Sequence, residues 1–295
     1  MTLPENFKAG FVSIVGKANV GKSTLMNRIL GEKLSIVTPK PQTTRVSIKG
    51  IYNSDDMQII FLDTPGFVEP RYELHNRMIN YIKESLKDSD LIIFITDIND
   101  FPTEYDQKVI ELIKEVKKPS IALLNKIDLC TESMIKDKTE KINQSFDKVY
   151  PISALYVKEI DSLLKEICTF LPYNPPLYSQ EDMSDLPMRF FAQEIIRERI
   201  FMNLDQEIPY SSAVVVDAYE EHERHDFIRA TIYLERETQK PILLGKNGAK
   251  IGKIRREAEL GIQQLSGKPT KLNLWIKVKP DWRKKSGLLS IFGYK

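Results

Sequence analysis

The sequence of 295 residues predicts an α/β domain with a doubly wound, mostly parallel sheet, followed by a smaller α+β domain. Short apolar runs alternate with segments of helical spacing up to about residue 170, the pattern of strands joined by crossover helices. A glycine-rich segment between the first run and the first helical segment has the form of a phosphate-binding loop. A proline-rich stretch then precedes a last third in which the charge changes sharply. A chain of this length is sufficient for two domains with separate cores.

The first element and the loop after it predict a phosphate site. The apolar run 7–15 predicts a buried strand, and residues 23–30 have helical spacing. Between them, Gly16–Ser23 fits the pattern G-x-x-x-x-G-K-[ST], whose amides point at one place at the positive end of a helix dipole. We predict that Lys22 reaches the β- and γ-phosphates and that the Ser23 hydroxyl ligates Mg²⁺; a glycine-rich turn that binds nothing is the alternative. The predicted nucleotide-binding residues are Gly16, Lys17, Ala18, Asn19, Val20, Gly21, Lys22, Ser23 and Thr24.

The segment 32–45 carries the candidate metal-binding threonines. Pro39 and Pro41 prevent regular structure in this segment. In a protein with a phosphate-binding loop, a flexible segment at this place brings a threonine to the metal and the γ-phosphate. We favour Thr44 over Thr43 for that role.

Two strands, 46–52 and 57–62, are predicted on either side of a polar turn. The second strand leads into Asp63–Gly66. An acid at the carboxyl end of a buried strand can hold Mg²⁺, directly or through water, and the Gly66 amide can contact a γ-phosphate. An aspartate that only begins a turn is the alternative. The predicted metal ligands are Ser23, Thr44 and Asp63, and the predicted nucleotide contacts of this segment are Asp63, Thr64, Pro65, Gly66 and Phe67.

The predicted elements that follow are a helix at 71–88, a strand at 91–96, a helix at 103–116 and a strand at 120–124. The last strand ends in Asn125-Lys126-Ile127-Asp128, which predicts specificity for guanine. The Asp128 carboxylate can accept from N1–H and the exocyclic amine of guanine, whereas adenine offers no such pair of donors. Asn125 would support the ring and the loop, and the stem of Lys126 would lie on the base.

A strand from residue 149, a turn at Ser153-Ala154 and a helix at 157–170 complete the predicted domain; an amide of the turn would reach guanine O6. The ordered motifs Gly16–Ser23, Thr43-Thr44, Asp63–Gly66, Asn125–Asp128 and Ser153-Ala154 resemble those of translation-factor-related GTPases over about residues 7–171. The forms Gln-Thr-Thr-Arg and Asp-Thr-Pro-Gly-Phe resemble the Era-like branch. The resemblance implies a P-loop GTPase domain that binds GTP, GDP and Mg²⁺.

The sequence departs from Ras-type GTPases at Phe67. Those proteins have a glutamine there, which orients the attacking water, whereas phenylalanine has no polar group. Hydrolysis must therefore rely on other groups, namely Mg²⁺, Lys22 and backbone dipoles, and we expect a slow intrinsic rate. Stimulation by a monovalent cation such as K⁺ is a hypothesis. Asn19 matches an asparagine that holds K⁺ in related GTPases, a plain turn residue being the alternative. The predicted catalytic residues are Lys22, Thr44, Gly66 and Asn19.

The last third predicts a second domain. Residues 172–187 contain four prolines and are expected to form an extended linker between domains at 1–171 and 188–295. The elements predicted after it are a helix at 188–202, strands at 211–219 and 227–234, two helices around 245–248 and a strand at 272–278. This order resembles a type II KH domain, an α+β RNA-binding fold.

The loop Gly245–Gly248 has the form G-x-x-G and predicts contact with RNA or single-stranded DNA, because its glycines let a phosphate backbone approach closely. A helix–turn–helix is the alternative. The apolar residues expected to line a groove for bases are Ile242, Leu243, Ile251 and Ile254. The predicted RNA-binding residues are Gly245, Lys246, Asn247, Gly248, Lys250, Lys253 and Arg256. The C-terminal tail, 282–292, is expected to pack on this domain.

The charge distribution favours a polyanion partner at the C-terminal end. Residues 240–295 carry 14 basic and three acidic side chains, whereas residues 181–239 carry six basic and 14 acidic ones. A solvated basic face is the alternative. We expect a cytoplasmic protein with two free cysteines, because no signal-like segment and no long apolar run is present. The three histidines are expected at the surface.

The order of the two predicted domains resembles that of the Era family. The resemblance implies a monomer that binds the 3′ end of 16S ribosomal RNA, assists assembly of the small (30S) ribosomal subunit from its precursor, and in some bacteria associates peripherally with the inner cell membrane. The alternatives are a GTP-switched KH module that acts on another RNA and a GTPase associated with RNA modification. The latter needs a second catalytic constellation, which the sequence does not show. A further alternative is a pure RNA-binding module whose P-loop unit is structural.

Overall fold

The computed structural model describes residues 6–156 and 160–295, and these divide into two compact units. Unit 1 contains the described residues of Met1–Ser35, Thr44–Glu69 and Met78–Asp185. Unit 2 contains Ile36–Thr43, Pro70–Arg77 and Leu186–Lys295. Two short segments from the first half of the chain thus cluster with its last third. The domain bounds predicted from the sequence stay a prediction.

Unit 1 is built on a six-stranded sheet. The strands are β1 (Lys8–Val15), β2 (Ile48–Asn53), β3 (Met57–Asp63), β4 (Leu91–Asp97), β5 (Ser120–Asn125) and β6 (Val149–Pro151). Their order is β2-β3-β1-β4-β5-β6, with β2 antiparallel to β3 and every other pairing parallel. The doubly wound, mostly parallel sheet predicted from the sequence is confirmed.

The helices in this part of the chain are α1 (Lys22–Leu30), α2 (Glu73–Asp88), α3 (Glu104–Val116), α4 (Glu132–Ile142) and α5 (Ile160–Phe170). All residues of β3 and β4 are buried, as expected for strands covered on both faces. The sequence analysis missed α4, since only Ile142 of that helix is buried and its apolar periodicity is weak. The predicted start of the last helix at residue 157 lies outside the described residues.

The proline-rich segment is tied to the sheet of unit 1 as far as residue 185, without forming a regular helix. The buried Gln58 side chain donates to the carbonyl of Tyr178 at 2.9 Å and accepts from the amide of Leu177 at 2.7 Å. The Ile51 amide in β2 donates to the Met183 carbonyl at 2.9 Å. The segment therefore satisfies polar groups at the sheet edge.

Unit 2 is built on a three-stranded sheet and several helices. The elements are α6 (Met188–Asn203), α7 (Ile208–Ser211), β7 (Ala213–Glu221), β8 (Asp226–Leu234), α8 (Gln239–Leu244), α9 (Ala249–Ser266), β9 (Thr270–Val278) and α10 (Ser286–Ile291). The strand order is β7-β8-β9, with β8 antiparallel to β7 and parallel to β9. This order confirms the predicted type II KH arrangement.

The C-terminal tail packs on unit 2, as predicted. Trp282 is fully buried, and its indole N–H donates to the Ser211 carbonyl at 2.9 Å. The ring of Phe292 stacks on Tyr233, with centroids 4.5 Å apart. None of the helices in the described part of the chain combines the length and the apolar composition that crossing a bilayer requires.

Candidate functional site

The loop between β1 and α1 has the backbone geometry of a phosphate cradle. Gly21 has a φ of 104°, and a Cβ at this position would lie 2.3 Å from the Asn125 amide nitrogen. Only glycine satisfies both the backbone conformation and the space. Asn19 also has a left-handed backbone, with φ of 62°. The first amides of α1 follow directly, so that the loop ends at the positive end of a helix dipole.

Lys22 lies at the centre of this loop. Its buried ammonium donates to the Lys17 carbonyl at 2.7 Å and to the Gly16 carbonyl at 3.3 Å. Burial lowers the pKa of Lys22 to about 8, while the neighbouring Asp63 carboxylate acts in the opposite direction. The carbonyl groups of the phosphate loop therefore hold the ammonium group within the loop, where it would contact bound phosphate.

Ser23, Thr44 and Asp63 converge, as the sequence predicted. The Ser23 hydroxyl donates to Asp63 Oδ2 at 2.6 Å and lies 3.1 Å from the Thr44 hydroxyl. Burial raises the pKa of the Asp63 carboxyl, and the Ser23 hydrogen bond and the Lys22 charge oppose that rise. Asp63 Oδ1 is buried and accepts no hydrogen bond from the described residues. A set of hard oxygen atoms, one of them buried without a partner, fits Mg²⁺.

The Thr43 hydroxyl is engaged elsewhere. It donates to the Lys40 carbonyl at 2.7 Å and lies 2.7 Å from the Thr38 hydroxyl. This geometry supports Thr44 rather than Thr43 as the candidate ligand.

The segment after β3 lies directly on the phosphate loop. A Cβ at position 66 would be only 2.7 Å from the Ala18 Cα, so a side chain at Gly66 would separate the two segments. The amide of Phe67 donates to the Gly16 carbonyl at 3.0 Å. The Phe67 ring packs against the core and meets Tyr105 edge-on at 6.2 Å. Phe67 thus serves packing and offers no polar group to an attacking water.

Asn125 joins two loops of the candidate base site. Its side-chain nitrogen donates to the Val20 carbonyl at 2.6 Å, and its side-chain oxygen accepts from the Ala154 amide at 2.8 Å. Asp128 is exposed in a short 3₁₀ turn, where its carboxylate is accessible to a base. The Ser153 hydroxyl is buried and has no hydrogen-bond partner among the residues described. The predicted base-binding residues of both motifs are therefore brought to one place.

Two acids beside the site were not predicted. Asp97 pairs with Lys126 at 2.6 Å, and the buried Asp106 lies 3.6 Å from the Lys17 ammonium. Asp106 also forms the capping box of α3 with Thr103. A capping-box pattern is visible in the sequence, but its ion pair with Lys17 is not, because 89 residues separate the two.

The two short segments of unit 2 from the first half of the chain carry dense polar contacts within that unit. The buried Arg197 of α6 donates to the Thr43 carbonyl and pairs with the buried Glu194. Lys40 donates to the Phe201 carbonyl at 2.8 Å. His75, expected at the surface, is only 3% exposed and stacks on Tyr72 at 3.9 Å. That expectation was wrong because burial of a histidine ring depends on packing that local sequence does not encode.

A second candidate site, the G-x-x-G groove, lies in unit 2 between the first turns of α9 and the edge strand β9. It has a volume of about 390 Å³ and is lined by Gly248, Ile251, Gly252, Arg255, Leu272, Asn273, Leu274 and Trp275. The loop before it has left-handed backbone at Asn247 and Gly248, with φ of 51° and 75°. An apolar floor beside a glycine turn suits the close approach of a nucleic-acid strand.

Of the seven predicted RNA-binding residues, Gly248 lines this groove, and the other six lie in the loop before α9 or on α9 itself. Four of them, Lys246, Asn247, Lys253 and Arg256, are exposed. Of the four apolar residues expected to line the groove, only Ile251 does so; Leu243 and Ile254 are fully buried in the core and Ile242 is 48% exposed. Helical periodicity identifies an apolar face but not which part of it the neighbouring elements cover. Asn273 and Trp275 were missed, since β9 is distant from the G-x-x-G loop in sequence. Gly252 of α9 was also missed, although it follows the loop directly.

Family models match both parts of the chain. Residues 11–126 match a family described as a 50S ribosome-binding GTPase, and residues 207–283 match the KH domain. The chain is 38% identical over 294 residues to GTPase Era of Alkaliphilus metalliredigens, covering 98% of this chain and 100% of that one. It is 40% identical over 297 residues to GTPase Era of Ruminiclostridium cellulolyticum, covering 98% of each.

Two solved structures resemble the whole chain. One is a variant of Aquifex aeolicus Era bound to GDP and AlF₄⁻, with a TM-score of 0.94 at 37% identity and coverage of 98% of this chain and 99% of that one. The other is Era in complex with MgGDPNP and nucleotides 1506–1542 of 16S ribosomal RNA, with the same TM-score, identity and coverage. With a phosphate loop, a guanine motif and a KH fold in one chain, and relatives that match nearly its full length, this protein belongs to the Era family of GTPases.

Proposed function

We propose that this GTPase binds the 3′ region of 16S ribosomal RNA through the G-x-x-G groove and assists assembly of the 30S subunit. The observation that carries the proposal is the groove itself, which is lined by apolar residues, by Gly248 of the glycine loop and by the exposed Arg255, with the exposed Lys246 in the same loop. The solved Era complex with nucleotides 1506–1542 of 16S ribosomal RNA supports the choice of RNA. Basic side chains attract phosphates, and a glycine loop lets the RNA backbone approach closely, so the two together favour a single-stranded polyanion.

In the proposed nucleotide site, the amides of residues 16–24 and the Lys22 ammonium bind the phosphates. Asp128 accepts hydrogen bonds from guanine, and Asn125 keeps the base motif attached to the phosphate loop. Ser23, Thr44 and Asp63 would hold Mg²⁺, which supplies charge neutralisation at the phosphate oxygens when bound. Thr44 and Gly66 are the residues proposed to respond to the γ-phosphate, since each belongs to a segment that the loss of that group releases.

Slow intrinsic hydrolysis follows from the same arrangement. The Lys22 ammonium and the loop amides stabilise negative charge that develops on the phosphate oxygens, but Phe67 cannot orient water. A rate well below that of a stimulated GTPase is therefore expected.

We also propose that K⁺ bound near Asn19 raises the rate of hydrolysis. Asn19 is exposed in the middle of the phosphate loop with a left-handed backbone, and a cation bound there would add positive charge near the phosphates. Turnover in K⁺ should exceed turnover in Na⁺ at equal ionic strength, and Asn19→Ala should remove the difference. Equal rates in the two salts for the unaltered protein would contradict the proposal.

The main test uses binding of a fragment that spans nucleotides 1506–1542 of 16S ribosomal RNA. Gly248→Asp should abolish RNA binding and leave GTP affinity unchanged, because it places a carboxylate where phosphate is expected. Gly267→Asp is a matched control, since Gly267 has a φ of 72°, close to the 75° of Gly248, and both positions have open space for a Cβ. Equal RNA affinity of the two variants would overturn the proposed site.

The cellular role adds further predictions. The chain is proposed to act as a monomer on the 30S precursor in the cytoplasm and to associate peripherally with the inner membrane, as the resemblance implies for some bacteria. Co-sedimentation of the purified protein with precursor particles, and failure of Gly248→Asp to co-sediment, are the expected results. Retention of the Gly248→Asp variant on those particles would place the contact elsewhere.

A further inference from the structure

The two tryptophans of the chain have opposite environments. Trp282 is fully buried, whereas Trp275 of β9 is 62% exposed. A large aromatic side chain loses more hydrophobic free energy by exposure than most residues, so an exposed tryptophan beside a binding groove calls for an explanation.

Trp275 projects from the face of the sheet opposite to the one that packs on α6, α8 and α9. Along β9, Leu272, Leu274, Ile276 and Val278 pack on the core, so the alternate residues Lys271, Asn273, Trp275 and Lys277 point to the other face. One strand away, Tyr233 on that face is covered by Phe292 from the C-terminal tail. The tail therefore protects one aromatic residue of this face and leaves Trp275 open.

The position of Trp275 is continuous with the G-x-x-G groove. Trp275 lines the groove together with Gly248 and Gly252, and β9 is the edge strand of the three-stranded sheet. A strand of RNA that leaves the groove over this edge passes directly over Trp275. A base that is no longer held between α9 and β9 would then meet an aromatic face.

The charges around Trp275 suit the same occupant. Lys271 and Lys277 are exposed on either side of it along β9. The two acids of β7 on this sheet face lie on the strand farthest from β9: Glu220 pairs with Arg229 at 3.0 Å, and Asp217 accepts a hydrogen bond from Thr231 at 2.7 Å. An aromatic residue flanked by two cations at strand spacing is complementary to a base with its neighbouring phosphates.

We propose that Trp275 stacks on an RNA base just outside the groove, while Lys271 and Lys277 contact the flanking phosphates. The inference rests on the proposed RNA-binding function and extends it to a second contact area. Stacking depends on the aromatic ring, whereas the phosphate contacts depend on charge, so the two contributions separate experimentally.

The test measures affinity of the full-length protein for the fragment of nucleotides 1506–1542. Trp275→Leu keeps an apolar side chain but removes the ring, and should weaken binding about tenfold. Trp275→Phe should restore affinity to within about threefold of the unaltered protein, since every aromatic ring offers a stacking face. Leu260→Ala, which truncates another side chain of unit 2 that is 61% exposed, is the control and should leave affinity unchanged.

Fluorescence gives a second measurement. RNA binding should quench the emission of Trp275, and in Trp275→Phe, where only the buried Trp282 remains, the quenching should disappear. Each RNA base in turn can also be replaced by an abasic site. At one nucleotide, removal of the base should weaken binding to the unaltered protein but leave the affinity of Trp275→Leu unchanged.

The possible results separate this inference from the proposed function. If the unaltered protein binds the fragment and Gly248→Asp does not, but Trp275→Leu binds with unchanged affinity, the stacking contact is excluded and the groove remains. Equal weakening by Trp275→Leu and Trp275→Phe would also exclude stacking. If the unaltered protein fails to bind RNA, both proposals are wrong.

One further result would be that the Trp275→Leu variant loses co-sedimentation with 30S particles while it keeps its RNA affinity. That result would overturn the inference and indicate that Trp275 contacts a protein.

Discussion

At the scale of single residues, two aspartates in opposite environments take different roles. Asp63 is fully buried beside a hydroxyl and an ammonium group and has a carboxylate oxygen without a partner among the described residues, which suits a cation. Asp128 is exposed, so its carboxylate is accessible to donors on a base. Residue type alone does not separate these roles, because burial determines which partner each carboxylate can accept.

The exchange Asp128→Asn should reduce affinity for GDP by roughly 5- to 150-fold, corresponding to the 1–3 kcal/mol of an unpaired buried polar group. The amide presents a donor to the N1–H or the amine of guanine where the carboxylate accepted. Titration calorimetry with GDP measures the effect, and xanthosine diphosphate, which has a carbonyl in place of the amine, should gain affinity. Asp55→Asn, at an exposed position in the turn between β2 and β3, is the control. An unchanged GDP affinity in Asp128→Asn would refute the assignment of the base site.

At the scale of secondary-structure elements, the end of strand β5 and the helix α6 hold distant segments of the chain in place. The residue that ends β5, Asn125, bonds to the phosphate loop and to the turn at Ala154, so that loops from three parts of the chain become one structure. In unit 2, α6 contributes a buried ion pair between Glu194 and Arg197, and Arg197 also donates to the Thr43 carbonyl. Each element therefore positions segments remote from it in sequence.

Arg197→Ala should destabilise unit 2 by about 3–5 kcal/mol, because it leaves the Glu194 carboxylate buried without its partner. The double variant Glu194→Leu/Arg197→Met should lose less than half of that amount, since it removes both charges and retains apolar volume. Urea unfolding followed by the fluorescence of Trp282, which is buried in unit 2, measures the change. A double variant as unstable as Arg197→Ala would show that the loss arises from packing or from the Thr43 contact instead.

At the scale of the whole molecule, charge is strongly segregated along the chain. The 14 basic side chains of residues 240–295 accompany only three acidic ones, and the segment before them is strongly acidic. Such a distribution attracts a polyanion to one part of the protein and keeps it from another. RNA affinity should therefore depend steeply on salt.

The double variant Lys246→Ala/Lys250→Ala should reduce the slope of log affinity against log salt concentration by about 1.4, at roughly 0.7 for each phosphate contact with a single strand. Arg224→Ala, in the exposed turn between β7 and β8, is the control and should leave the slope unchanged. Fluorescence anisotropy of a labelled RNA fragment at several salt concentrations gives the slope. A slope that is the same in all three proteins would mean that these lysines do not contact phosphate.

Much of this architecture was predictable because strands, helices and glycine loops are specified by local patterns. The buried strands, the phosphate loop and the order of the elements other than α4, α7 and α10 were predicted in this way. The helix α4 was missed because its sequence is polar, and the groove-lining role expected of Leu243 and Ile254 was wrong because both are covered in the core. Trp275 was missed for the converse reason: exposure of a strand residue depends on what lies over it.

The sequence by itself determined which residues can do the chemistry, since phosphate, guanine and RNA contacts need particular side chains and glycines at particular spacings. Only the tertiary structure decided which of them meet. Ser23 lies 21 residues from Thr44 and 40 from Asp63, yet their oxygens are 3.1 Å and 2.6 Å apart. The physical reason is the parallel pairing of β1 with β3, which places Asp63 beside Ile14 and brings the carboxyl ends of both strands to one edge of the sheet.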